Sequence, residues 1–255
     1  MARLTLHQFP ISHYCEKIRW VLDRKGLSYT VKNQLPGVHM LVNRRLVGRG
    51  SVPLLVDGGH AIGNSSDIAL YVDDQFPRPR LIPTDAPERA AVLELEAYFD
   101  RHVGPAVRRW VYGFILPRPE LFRRVFFDGY DGLARKLGRL ASNLLAPEIA
   151  RMYGVNAASA DESWRAIEAG LETLERRLHG DPHRYLVGAH LTLADVTAAA
   201  LLGPLLAPPE SPWCDDLGLR ELTERRHALR ARPAGQWVLR RYALDRHGEA
   251  AHYGS

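Results

Sequence analysis

Cysteine is nearly absent from this sequence: Cys15 and Cys214 are the only two, and neither sits in a Cys-x-x-Cys pair. That excludes a secreted disulfide framework and a cysteine-based zinc site. Lysine is scarce as well, found only at positions 17, 25, 32 and 136, so the basic character comes from arginine. No five like charges run together and no basic-aromatic alternation occurs, so no nucleic-acid interface is expected. The net charge of +5 reads instead as a mildly basic surface compatible with anionic small substrates. Long hydrophobic runs are lacking too. The most apolar stretch, Leu191 to Leu206, is interrupted by Asp195 and Pro204 and is too short to span a bilayer. The first residues carry no apolar signal core, so a cytoplasmic protein with no membrane partner is expected. His179 and His183 are four apart, but Gly180 and Pro182 between them spoil a helical ligand pair, and no metal is expected.

What is present is an ordinary globular composition, 46% hydrophobic and 25% charged over 255 residues, enough for one large domain or two modest ones. Arg3 to Phe9 reads as a strand, Cys15 to Lys25 as a helix stopped by Gly26, and Tyr29 to Asn33 as a second strand. A short helix over Val38 to Leu46 follows. Val52 to Val56 and His60 to Ile62 then form a hairpin around Asp57-Gly58-Gly59. Asn64 or Ser65 caps a helix running to Phe76. The order βαβαββα gives an α/β domain over residues 1–77, and a proline-rich linker over 78–87 ends it. Residues 88–255 read as all-helical, with helices over Glu88–Val111, Glu120–Leu145, Asp161–Leu178, Thr192–Leu206, Leu217–Ala231 and Pro233–Arg246.

Three features of the first domain carry chemistry. Ser12 and Cys15 lie at a strand-to-helix junction, where unpaired N–H groups and the helix dipole stabilise an anion. A hydroxyl or thiol there can act on a sulfur anion, and the plain alternative is an N-cap beside a small buried residue. Pro53 belongs at a strand start, and a cis bond before it would turn the Val52 backbone toward a ligand. Ser65 at a helix start offers a hydroxyl and an N–H suited to a carboxylate, with an ordinary cap as the alternative.

In this order and spacing the motifs resemble the cytosolic glutathione transferase superfamily. The Ser12-x-x-Cys15 start, the Ser51-Val52-Pro53 turn and the Asn64-Ser65-x-x-Ile68-x-x-Tyr71 helix carry the resemblance. Tyr185-Leu-Val-Gly-Ala-His-Leu-Thr-Leu-Ala-Asp195 adds the family's capping box, in which Thr192 and Asp195 look structural. The resemblance implies a thioredoxin-like first domain, a helical second domain, a homodimer, and glutathione as co-substrate in a transfer reaction of the detoxification type. It places Ser12 against the glutathione sulfur, Val52 and Pro53 along the cysteinyl part, and Ser65 with Asn64 at the γ-glutamyl carboxylate. Arg49, with His39, Arg44 and Arg45 as alternatives, would anchor the glycine carboxylate. A free thiol is only about 3% thiolate at pH 7, and lowering its pKa by two units takes about 2.7 kcal/mol. A hydrophobic electrophile is expected between the domains against Pro10, Ile11, His13, Trp110, Tyr112 and Phe114, ahead of Phe126, Phe127 and Tyr130. Two rival readings stand beside this one. One is a reductase, isomerase or lyase using Cys15 or another thiol. The other is a non-catalytic scaffold on the same fold, for which Asn64, in place of the usual Glu or Gln, counts slightly.

Overall fold

The computed structural model describes residues 3–213 and 217–247, and Cys214 lies outside them. The first 75 residues build strands β1 (Leu4–Gln8), β2 (Tyr29–Asn33), β3 (Leu54–Asp57) and β4 (His60–Gly63). Interleaved are helices α1 (His13–Arg24), α2 (Val38–Val47) and α3 (Ser65–Gln75). The sheet order is β2-β1-β3-β4, with β1 parallel to β2 and both other pairings antiparallel. Central β1 alternates buried Leu4 and Leu6 with half-buried neighbours, while α1 buries Ile18, Trp20, Val21 and Leu22. Gly26 ends the α1 turn in the left-handed region at φ 63°, which a side chain would resist.

The linker is shorter and firmer than its prolines imply. Leu81 and Ile82 are buried, and the Lys25 ammonium donates to the carbonyls of Phe76 and Pro79. Asp85 caps α4 (Ala86–Tyr98), which begins two residues before the start at Glu88 read from sequence. The span read as one helix over Glu88–Val111 is divided. A π-helical turn at Phe99–Val103 joins α4 to α5 (Gly104–Ile115). Pro105 explains the change, since it has no N–H to give the carbonyl of Arg101, and a wider turn precedes it.

The expected helix over Glu120–Leu145 is also two helices, α6 (Pro119–Phe127) and α7 (Gly132–Tyr153). Gly132 at φ 54° opens α7 after an extended Asp131, and this reverses the chain. A Cβ on Gly138 would stand 2.2 Å from the Phe127 ring, so glycine lets the two helices approach. Helices α8 (Ala157–Leu178), α9 (Leu193–Leu206), α10 (Arg220–Ala231) and α11 (Pro233–Asp245) complete the described chain, with no strand after Gly63 among the described residues.

Every residue of α9 is buried, as expected of a helix apolar on all sides. It packs on α1, α4, α5 and α11 and forms the axis of the molecule. Thr192 and Asp195 form the capping box, and the Asp195 carboxylate also accepts from the Leu186 N–H at 2.8 Å. Burial raises the Asp195 pKa to about 6 despite those three hydrogen bonds. No helix is long and apolar enough to cross a membrane among the described residues.

Candidate functional site

Ser12 caps α1. Its hydroxyl accepts from the Cys15 N–H at 3.3 Å, which leaves its own proton to donate. The loop before it is tied from both domains. Arg19 donates to the Pro10 carbonyl at 3.1 Å, and the Trp213 indole N–H donates to the Ile11 carbonyl at 2.9 Å. Ser12 is partly exposed, whereas Cys15 is wholly buried. Burial pushes the Cys15 thiol up, and the nearby Arg19 and Ser12 only partly offset it. The helix terminus therefore does not produce a ready thiolate at Cys15, because desolvation outweighs it.

The Val52–Pro53 bond is cis. Sheet pairing of β3 begins at Leu54, so Val52 lies outside the ladder. A residue pair with no signal in the sequence supports this turn. Buried Asn43 on α2 donates to the Ser51 carbonyl at 2.9 Å and exchanges amide hydrogen bonds with Gln34. Arg49 is largely exposed, with the Asp67 carboxylate 3.9 Å away. The imidazole of His39 packs edge-on against Phe9, 4.6 Å between centroids.

At the start of α3 the roles of the two candidates separate. Asn64, at φ 73°, is the cap, accepting from the Ser66 N–H at 2.8 Å, and asparagine tolerates that backbone region better than most residues. Ser65 is buried, and its hydroxyl donates to Asp100 at 3.0 Å. The Lys17 ammonium lies 3.5 Å from Ser65, 3.4 Å from Ser66, 3.0 Å from Asp100 and 2.5 Å from Glu96. The Ser66 hydroxyl also donates to Glu96 at 2.6 Å. Reading the sequence missed Lys17, Glu96 and Asp100. A lysine on the apolar face of α1, matched by two acids one turn apart, was the available signal.

Across the cleft, α5 faces the first turn of α1 through Gly104. The His13 ring donates from Nε2 to the Gly104 carbonyl at 3.2 Å, and a Cβ on Gly104 would stand 2.6 Å from the Tyr14 hydroxyl. Burial, helped by the charge of Arg108, depresses the His13 pKa to about 3, so the ring is neutral. His13 thus pins the two halves together, where it was expected to form part of the electrophile wall. Trp110 turns to the far side of α5, against Trp164 and Phe114. Tyr112 meets Phe126 and Tyr153.

A cleft of about 490 Å3 opens beside the Ser12 loop, lined by Pro10, Ile11, Arg124, Val125, Asp128, Gly129, Trp213 and neighbours. Of the expected wall, it takes Pro10 and Ile11 but not His13, Trp110, Tyr112 or Phe114. The break between α6 and α7 accounts for the change by setting Asp128 and Gly129 over Pro10. No group of three or more His, Cys, Asp or Glu among the described residues is placed to hold a metal ion.

Known proteins match this arrangement in both of its domains. Residues 6–80 fit the family model for the glutathione S-transferase N-terminal domain, and residues 157–231 fit the C-terminal domain. Glutathione S-transferase Z2 of Arabidopsis thaliana is 36% identical over 92 residues, 35% of this chain and 41% of that protein, so the match spans about two fifths of its length. The β-etherase LigF of Sphingobium sp. strain SYK-6 shares the fold at a TM-score of 0.58 and 22% identity, covering 94% of this chain and 99% of that one. A glutathione S-transferase of Methylobacillus flagellatus KT, solved with glutathione bound, shares it at 0.56 and 18%, covering 92% and 98%. Both domain models fall in order on a thioredoxin-like sheet domain and a helical domain that meet at Ser12, and the chain belongs to the glutathione S-transferase family.

Proposed function

We propose that the protein binds glutathione across the sheet-domain loops and activates its thiol for transfer to an electrophile. The partly exposed Ser12 hydroxyl, fixed as an acceptor by Cys15 N–H, carries this reading. In it, Ser12 donates to the glutathione sulfur and the α1 terminus adds its dipole, which lowers the thiol pKa. The cysteinyl backbone pairs with Val52 beside Pro53. The γ-glutamyl carboxylate lies at Ser65 and Asn64. Two carboxylates, Glu96 and Asp100, oppose the single ammonium of Lys17 there, so one negative charge remains to balance the γ-glutamyl ammonium. Arg49 reaches the glycine carboxylate. Ser12, rather than buried Cys15, then serves the thiolate as it attacks an electrophile held against Ile11 and the helical wall. The family's usual homodimer is part of the proposal, as is detoxification chemistry.

Calorimetric titration of glutathione into wild type and Ser12→Ala at several pH values tests it. Proton release near neutral pH, lost or moved upward in Ser12→Ala, is the expected result. An unchanged proton count would shift the role to a backbone donor. No binding at millimolar glutathione would end the transferase reading in favour of another thiol or a scaffold role.

A further inference from the structure

Arg108 has no part in the chemistry described so far. It follows Gly104 by one turn of α5 and precedes Tyr112 by another, on the face that meets the first turn of α1. Its guanidinium carbon lies 3.9 Å from the centroid of the Tyr153 ring and 5.7 Å from that of Tyr14. Aromatic faces stabilise the cation and fix its plane, but they accept no in-plane hydrogen bond. The Arg108 Nε is buried without a hydrogen-bond partner, and the group forms no ion pair with any described residue. Other arginines near the domain boundary do find carboxylates. Adjacent Arg109 reaches Glu162 at 3.2 Å, and buried Arg246 takes both Glu16 and Asp23. The fold therefore keeps a cation over the Ser12 end of α1 whose natural complement, a planar anion, is supplied by no side chain.

We propose that Arg108 binds the carboxylate of the second substrate, so that the electrophile is a flat aromatic or unsaturated acid and not a neutral hydrocarbon. A carboxylate meets the guanidinium fork with two parallel charge-assisted hydrogen bonds and satisfies the orphan Nε–H. The rings of Tyr14, Tyr112 and Tyr153, each only partly buried, border the guanidinium and offer apolar edges to the rest of such a molecule. The word substrate rests on the transferase reading above; the anion site does not. The same chemistry has a second source, the glycine carboxylate of glutathione itself.

Binding of 2-naphthoate and of its neutral isostere 2-naphthamide separates these cases without any turnover. Calorimetry is run on the full chain as wild type, Arg108→Gln and Arg108→Lys, with and without saturating glutathione. Wild type is expected to prefer naphthoate by about tenfold, the value of a charge-assisted hydrogen bond to a desolvated group. Arg108→Gln loses that preference while naphthamide binding is unchanged, and Arg108→Lys keeps part of it. Equal affinity for the two probes in wild type, or equal loss of both in Arg108→Gln with Arg108→Lys unaffected, overturns the proposal. Competition between naphthoate and glutathione assigns Arg108 to the glutathione carboxylate and overturns it also. If naphthoate shows the Arg108 dependence but glutathione does not bind, the anion site stands and the transferase reading falls; the reverse pattern removes the anion site alone.

Discussion

On the sheet side of the cleft, each loop that faces the site is held by a polar side chain at least partly withdrawn from solvent. Arg19 holds Pro10, Asn43 holds Ser51, and Lys17 holds Ser65 and Ser66. The helical domain opposite packs through aromatic edges, Tyr112 on Phe126 and Tyr153, with Trp110 on Trp164 and Phe114 on the far face of α5. Directional contacts fix a geometry for one ligand, whereas apolar packing tolerates changes of side chain and so of substrate. The contrast suits the sheet half to one invariant ligand and leaves the helical half free to vary.

The largest effect expected on the sheet side comes from Lys17. Its side chain is fully buried between Glu96 and Asp100, so Lys17→Met leaves two carboxylates without their cation. A loss of about 3–5 kcal/mol is expected in urea unfolding. A loss below about 1 kcal/mol, the range of exposed pairs, would show the network to be solvated and would erase the contrast. Ser12→Ala comes next. With Ser12 as the proposed donor, its removal should lower kcat/KM for thiol addition at neutral pH by about 25-fold, the drop in thiolate from about 76% to about 3% that two pKa units produce. Cys15→Ala should leave that rate near wild type, and a large loss there would move the chemistry off Ser12.

The sheet side was also the more legible in sequence, for a physical reason. Ser12, Pro53 and Asn64 mark local backbone events, namely a cap, a strand start and a left-handed cap residue, and local events are written in short spacings. Strand β2 matched its expected span, and β1, α1 and α3 came within two residues. Lys17, Glu96, Asp100 and Asn43 were missed because their role appears only once distant segments meet. The helical side failed differently. Apolar periodicity carried across Phe99–Val103 and across Gly129–Gly132, where one proline and two glycines change direction without disturbing the hydrophobic pattern. Trp110 and Tyr112 are only two residues apart and face opposite sides of α5, which composition alone does not assign.

His13 sits on the boundary between the two sides and gives a smaller, pH-dependent test. Its pKa is about 3 in the fold against 6.5 for the free side chain. Between those values the unfolded chain binds the extra proton, so stability from this group is complete above pH 6.5 and falls as pH drops toward 3. At pH 5 the loss is about 2 kcal/mol. Comparing urea midpoints at pH 5 and pH 7.5 reads it, and His13→Gln, which retains a donor for the Gly104 carbonyl, should remove this component. Asp195 works in the opposite sense. With its pKa at about 6 against 3.8 unfolded, the fold holds the proton longer, so its contribution falls as pH rises from 4 to 6. Asp195→Asn separates the two slopes.

The smallest expected effect lies on the outer face of α7. Leu133, Leu137, Leu140 and Leu144 recur at spacings of four, three and four and are 49–80% exposed. Apolar residues at this period ordinarily mark a buried seam, yet here the buried contacts of the hairpin are made by Gly138 and Ser142 on the other face. Leu140→Gln should therefore change the unfolding free energy of the isolated chain by no more than about 0.5 kcal/mol. The measurement is made at two protein concentrations tenfold apart. A larger loss that grows with concentration would mean that the stripe packs against another copy, because only an associating chain has stability tied to its own concentration. The helical side would then owe part of its rigidity to assembly, and its contrast with the sheet side would belong to the monomer alone.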